Sequence, residues 1–261
     1  MKQKTLIITG GSSGIGKATA MLFADKGYKV YELSRHGEDN GSVTHIDCDV
    51  TNADDCAKAV RRVMDDCGVI DVMISNAGMG ISGAIEFTDI KEARRQMDVN
   101  FFGTVNITQA VLPYMREARG GSIIFVSSMA AAFSIPFQAF YSASKFAVNG
   151  LAMALRNEVR PFGIKVSCLL PGDVKTGFTD ARSKSVAGAE VYTNMDKAVK
   201  TMEHDEANGI TPSQMARKLL SMAESRNPCA YSTVGLMYHL FILLNKLLPA
   251  SLVYRIVGKM Y

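Results

Sequence analysis

Thr9-Gly10-Gly11-Ser12-Ser13-Gly14-Ile15-Gly16 links the apolar run Leu6-Ile7-Ile8 to a stretch of helical periodicity that begins near residue 15. Glycines in such a place let the backbone turn tightly between a strand and a helix. They also let an anion such as a pyrophosphate come close to the helix N-terminus, where unpaired N–H groups and the helix dipole favour it. The spacing is Gly-x-x-x-Gly-x-Gly at Gly10, Gly14 and Gly16. Taken alone it is a weak motif, since glycine-rich strand ends also serve ordinary turns. Its position at the first strand-to-helix junction gives it weight.

Outward from this turn, short β-branched runs alternate with longer helical patterns. Strands are expected over residues 5–9, 29–33, 44–47, 71–75, 122–127, 165–170 and 229–232, and helices over 15–26, 53–66, 91–119, 139–160 and 212–223. Alternation of this kind predicts βαβ units and a parallel sheet. Ile123-Ile124-Phe125-Val126 is apolar throughout, as a strand covered on both faces requires. The fold class is therefore α/β, a single-domain doubly wound parallel sheet with helices on both faces. Residues 173–211 break the rhythm and read as a lid over a substrate or as a solvated surface excursion.

Composition narrows the functional class. The 29 basic and 25 acidic residues leave a net charge of +4 with no basic run, so no nucleic-acid partner is expected. Five cysteines, Cys48, Cys56, Cys67, Cys168 and Cys229, form no CxxC and no metal-ligand spacing, and no metal is expected. Absence of a signal-peptide pattern, together with unpaired cysteines, leads to a cytoplasmic expectation.

Tyr141 and Lys145 carry the chemistry. Four residues apart on an expected helix, they share one face and can converge on one substrate oxygen. A phenol with a pKa near 10 must be stabilised as phenolate by about 4 kcal/mol to work as a base near neutral pH. One cation at about 4 Å, in an effective dielectric of about 20, supplies about that much.

At this point the chain resembles the short-chain dehydrogenase/reductase family, over nearly its whole length. Thr9-Gly10-x-x-x-Gly14-Ile15-Gly16 is similar to that family's cofactor turn, and Asn76-Ala77-Gly78 to its motif after the strand at 71–75. Asn100, Ser128, Tyr141 and Lys145 match its catalytic tetrad, and Pro171-Gly172-x-Val174-x-Thr176 its nicotinamide segment. The resemblance implies one Rossmann-type domain over residues 1–261 and a nicotinamide dinucleotide held by Gly10, Ser12, Ser13, Gly14, Ile15, Gly16, Asn76, Ala77, Gly78, Tyr141, Lys145, Pro171, Gly172, Val174 and Thr176. It further places Asp49 and Val50 against the adenine, and Lys145 on the nicotinamide ribose. Tyr141 is then expected to exchange a proton with the substrate oxygen, Ser128 to hydrogen-bond that oxygen, and Asn100 to hold a water linking Lys145 to solvent. Ser127 competes for the role of Ser128, and the thirteen-residue interval to Tyr141 favours Ser128.

Ser34-Arg35 ends the second expected strand, where an acidic residue would prefer a ribose hydroxyl. An Arg fork beside a hydroxyl suits a 2′-phosphate, so NADP(H) is preferred, with NAD(H) the alternative. Glu32, two residues upstream on the same face, argues the other way. Met79, Ile81, Met129, Phe133, Ile135, Phe137, Phe140 and Phe178 surround the expected site, and few charges are evident there. This leads to a lipophilic ketone, aldehyde or alcohol substrate, of hydroxysteroid type by resemblance. A broad carbonyl reductase, an acyl-chain ketoreductase and a non-catalytic dinucleotide-sensing or lipid-binding protein are the alternatives. An apolar helical tail over about 233–261, with Met237, Leu240, Phe241, Leu244, Leu247 and Leu248 at helical spacing, could cover the substrate mouth, pack on another subunit or rest peripherally on a membrane. A homodimer or homotetramer is implied by the resemblance alone.

Overall fold

The structure is a computed structural model and describes residues 3–260, so residues 1, 2 and 261 of the expected domain lie outside the described residues. Its centre is a seven-stranded, wholly parallel sheet of strands β1 (Thr5–Thr9), β2 (Lys29–Ser34), β3 (Val43–Asp47), β4 (Val72–Ser75), β6 (Gly121–Val126), β7 (Ile164–Leu169) and β9 (Tyr231–Ser232), in the order β3-β2-β1-β4-β6-β7-β9. Strands β5 (Ile81–Ser82) and β8 (Ser183–Lys184) pair separately. Every residue of β1 and β4 is buried, as strands covered on both faces must be.

Two helical layers supply that cover. One core cluster joins Ile7, Met73, Ile123 and Val166 of the sheet to Val60 and Val63 of α2 (Ala53–Cys67), Ile107 and Val111 of α4 (Gly103–Glu117), and Val148 and Ala152 of α5 (Ala139–Glu158). On the opposite face Leu6, Ile8, Ile74 and Ile124 pack on Phe23 of α1 (Gly14–Asp25) and on Met215 and Leu219 of α8 (Pro212–Glu224). Alternate residues of each strand thus serve opposite layers, as the period of two dictates.

The single helix expected over 91–119 is α3 (Ile90–Met97), a π-helical turn at Asp98–Phe102, and then α4. The wider turn carries Asn100. Such bulges often mark functional positions, because they re-aim one residue within an otherwise regular helix. Residues 173–211 are more ordered than their composition suggests, holding α6 (Phe178–Ala181), β8 and α7 (Met195–Ala207). The tail folds as α9 (Leu236–Leu247) and α10 (Ala250–Met260), separated at Pro249, whose ring cannot continue a helix.

Candidate active site

Strand order reverses direction at β1, which lies between β2 and β4. In a doubly wound sheet the crevice beyond the carboxyl ends of the strands at this point is where ligands bind. Gly10 to Gly16 lie there, and Asn76 fixes their path. Its Nδ2 donates to the carbonyls of Thr9 (3.1 Å) and Gly10 (3.0 Å), while Thr9 Oγ1 accepts from the backbone N–H groups of Asn76 and Ala77, each at 3.0 Å. A Cβ on Gly16 would overlap the Gly10 carbonyl, so only glycine lets α1 begin this close to the turn.

Two cavities meet at this turn. The first, about 660 Å³, is lined by Gly11, Ser12, Lys17, Glu32 and Arg35 at the end of β2. The second, about 510 Å³, runs from Gly10, Ser13, Gly14 and Ile15 past Asn76, Ala77 and Gly78 to Ser128, Tyr141, Lys145, Pro171, Gly172, Val174 and Thr176. The glycine cradle, with one cavity on either side, fits an extended dinucleotide whose pyrophosphate lies at the N-terminus of α1. Arg35 would face the adenosine ribose and the second cavity would receive the nicotinamide. Asp49 and Val50 lie on neither wall. The Asp49 carboxylate accepts from Thr51 N (2.9 Å) and Oγ1 (2.8 Å), and the Val50 carbonyl accepts from Asn106 Nδ2 (2.9 Å). Ser34 Oγ donates to Glu32 Oε1 (3.2 Å) and to the His36 carbonyl (3.0 Å).

Ser128, Tyr141 and Lys145 share the second cavity. Burial holds the Tyr141 phenol above its ordinary pKa, against the Ser128 hydroxyl and the charge of Arg182, which draw it down. Lys145 Nζ donates to the Val126 carbonyl (3.0 Å) and lies 5.8 Å from the centre of the Tyr141 ring. Burial also lowers the Lys145 pKa to about 8. For the Tyr141 phenol the raising effect of burial exceeds the lowering effects of Ser128 and Arg182. Removal from water outweighs every cation nearby, and Arg182 is the cation that acts on Tyr141. Both serines line the cavity; Ser127 Oγ donates to the Lys145 carbonyl (3.3 Å), whereas Ser128 Oγ accepts from Ala130 N (3.1 Å) and is the hydroxyl that bonds the Tyr141 phenol.

Asn100 is held by its side-chain amide. Its Oδ1 accepts from Met79 N (2.8 Å), and its Nδ2 donates to the Met79 carbonyl (3.0 Å) and to Ser144 Oγ (3.0 Å). These three bonds tie the segment after β4 to α5 and fix the side chain of Asn100.

The sequence reading missed a polar wall. Arg182 is buried and paired with Glu206, Thr179 Oγ1 donates to Glu206 Oε2 (2.6 Å), and Asp173 and Asp205 line the same cavity. Tyr238 of α9 donates to Asp173 Oδ2 (2.7 Å) and accepts from Asp173 N (2.9 Å), with its ring where a Cβ on Gly172 would stand. Asp173 follows the Pro-Gly pair directly, and that position was its one visible signal. Arg182, Asp205 and Glu206 come from the unpatterned segment and had none. Phe241, Leu244, Leu248, Val253, Ile256 and Val257 of the tail close the apolar side.

Residues 4–187 match the family described as short chain dehydrogenase. The chain belongs to that family. This short chain dehydrogenase is 44% identical over 239 residues to a 3-ketodihydrosphingosine reductase of Bacteroides thetaiotaomicron, covering 90% of this chain and 89% of the relative. It is 34% identical over 200 residues to an 11-beta-hydroxysteroid dehydrogenase-like protein of Arabidopsis thaliana, covering 72% and 64%. Among solved structures it resembles a short-chain dehydrogenase from Streptomyces avermitilis, with a TM-score of 0.84, 27% identity and 95% and 93% of the two chains covered. A short chain dehydrogenase from Burkholderia cenocepacia in complex with NADP superposes with a TM-score of 0.77 at 25% identity, covering 99% and 98%. The protein is thus an oxidoreductase of a fold that takes NAD(P)(H).

Proposed function

We propose that this short chain dehydrogenase is an NADP(H)-dependent ketoreductase of long-chain lipophilic ketones that carry a polar group near the carbonyl. One observation carries the reading. The cavity that holds Tyr141 and Ser128 has both a charged wall, Arg182, Asp205 and Glu206, and a long apolar wall from α9 and α10. An amphiphile suits such a division better than a uniformly apolar ring system does. Similarity to a 3-ketodihydrosphingosine reductase supports this choice, and similarity to a hydroxysteroid dehydrogenase-like protein supports the broader lipophilic class.

The dinucleotide, when bound, supplies the hydride. Tyr141, kept protonated by burial, gives its proton to the carbonyl oxygen, and Ser128 hydrogen-bonds the same atom as its charge grows. Lys145 stands beside the phenol and carries positive charge below about pH 8. In the reverse direction Tyr141 takes the proton back, so alcohol oxidation strengthens as pH rises. Residues 173–211, with α6 and α7 over the cavity, act as the lid.

NADPH and NADH consumption with 3-ketodihydrosphingosine, steroid ketones, retinal and small polar ketones tests the proposal. Turnover of the long-chain amphiphile with NADPH is expected. Turnover of small polar ketones alone would overturn the lipophilic reading. Silence across the whole panel would favour a non-catalytic dinucleotide sensor or lipid-binding protein.

Two contacts accompany this function. The tail exposes Leu236, Met237, Leu243 and Leu247, and residues 233–260 contain Lys246, Arg255 and Lys259 but no Asp or Glu. That pattern suits a peripheral contact with an anionic lipid surface. No helix among the described residues is long and apolar enough to cross a membrane. Co-sedimentation with anionic vesicles is expected, and equal recovery with and without vesicles refutes the contact. Self-association along α4 and α5, where Phe146 is exposed, completes the proposal, and a monomer in sedimentation equilibrium at micromolar concentration refutes it.

A further inference from the structure

Glu32 is an unusual neighbour for a phosphate. Its side chain lies directly beneath Gly11, where a Cβ on that glycine would overlap it, and it lines the cavity that Arg35 faces. One carboxylate oxygen, Oε1, meets His45 Nδ1 and Ser34 Oγ. The other, Oε2, is buried without a hydrogen-bond partner among the described residues. His45 in turn joins this buried acid to an exposed one, for its Nε2 lies 3.0 Å from Asp47 Oδ1, and the side chain of Asp47 is 88% exposed.

The surroundings sharpen the problem. Four carboxylates, Glu32, Glu38, Asp39 and Asp47, line this cavity against two fixed cations, Lys17 of α1 and Arg35. His36 lies on the same wall, and Asp39 Oδ1 accepts the backbone N–H of His45 (2.6 Å). A dianionic 2′-phosphate entering here meets a surplus of like charge unless a third cation offsets it. Among the groups around Glu32, the imidazole of His45 is the one in contact with the buried carboxylate that can change its charge near neutral pH.

We infer that His45 is a specificity-determining residue for the dinucleotide: protonated, it cancels the charge of Glu32 and lets Arg35 take a 2′-phosphate, whereas neutral, it leaves a buried carboxylate beneath the turn that repels one. The inference rests on the reading of Arg35 as the 2′-phosphate residue. Burial disfavours the imidazolium, and Asp47 and Glu32 outweigh it, so the His45 pKa lies above its ordinary value. Preference for NADPH is therefore complete on the acid side of that raised pKa and declines as pH rises through it. The 2′-phosphate titrates in the opposite sense. Its second ionisation, near pH 6, gives it more charge for Arg35 as pH rises, so the two effects differ in sign.

Dissociation constants for NADPH and NADH, measured by ligand fluorescence between pH 6 and 9, decide the matter without reference to turnover. For the natural protein the NADH-to-NADPH ratio of constants is expected to fall at least about tenfold across this range, a change of about 1.4 kcal/mol. Glu32→Gln should keep the ratio high, with no fall as pH rises, and His45→Gln should hold it low at every pH. A flat ratio in the natural protein, with NADPH still preferred, overturns the inference and leaves the role of Arg35 standing. NADPH binding no tighter than NADH at any pH overturns the Arg35 reading itself. The natural protein's profile is decisive even where a variant fails to fold.

Discussion

Lys145 illustrates how one residue can serve a site at the expense of the fold. Burial lowers its pKa from 10.5 to about 8, so the unfolded chain holds that proton more tightly than the native protein does. Native stability should therefore rise with pH between about 8 and 10.5, and below pH 8 the full penalty, on the order of 3 kcal/mol, is present. Lys145→Met is expected to raise the urea midpoint at pH 7, with the gain vanishing toward pH 10.5, while activity is lost. Parallel unfolding curves at both pH values test this. Tyr141→Phe should lower turnover by roughly 10²- to 10⁴-fold and leave NADPH affinity nearly unchanged in a fluorescence titration. Arg35→Asp should weaken NADPH binding at least about tenfold and favour NADH, since it exchanges a phosphate-matching fork for a like charge. Tyr141 and Lys145 were legible as neighbours because a four-residue interval puts both on one face of α5, and the structure brings both to the second cavity. The opposing effects of burial on Tyr141, and the commitment of the Asn100 amide to Met79, depend on distant segments and have no local signature.

At the scale of elements, the β1-turn-α1 unit was readable because a continuous apolar strand, a glycine turn and a helical period follow one another without interruption. Its tolerances are equally local. Gly16→Ala would push α1 away from the Gly10 carbonyl, which should destabilise the protein by about 1–3 kcal/mol and weaken NADPH binding. Thermal melts with and without NADPH check both effects, and an unchanged ligand-induced shift would contradict the second. The π-helical turn at Asp98–Phe102 was invisible because its residues fit a regular helix as well, and the partners of Asn100 within it, Met79 and Ser144, are distant in sequence. Two-residue strands such as β5 and β8 likewise lack the length over which alternation can be recognised.

For the whole molecule, the tail is the part whose role the sequence left open among three alternatives, and its placement over the cavity narrows them. Truncation after Thr233 removes the apolar wall but keeps the sheet. KM for a long-chain ketone should then rise at least tenfold while a short-chain ketone is little affected, and equal loss on both would contradict a substrate-specific wall. Tyr238 adds a further consequence. Because α9 grips Asp173 through both its carboxylate and its amide, the helix that shields a greasy product cannot swing outward without loosening the loop expected to clasp the nicotinamide. Under the proposed function, egress of a long-chain alcohol and relaxation of the spent nucleotide are expected to be mechanically joined at this contact. Tyr238→Phe should part them, so a pre-steady-state burst is expected in the natural protein and a smaller one in the variant, and equal bursts in rapid-mixing measurements would contradict the coupling.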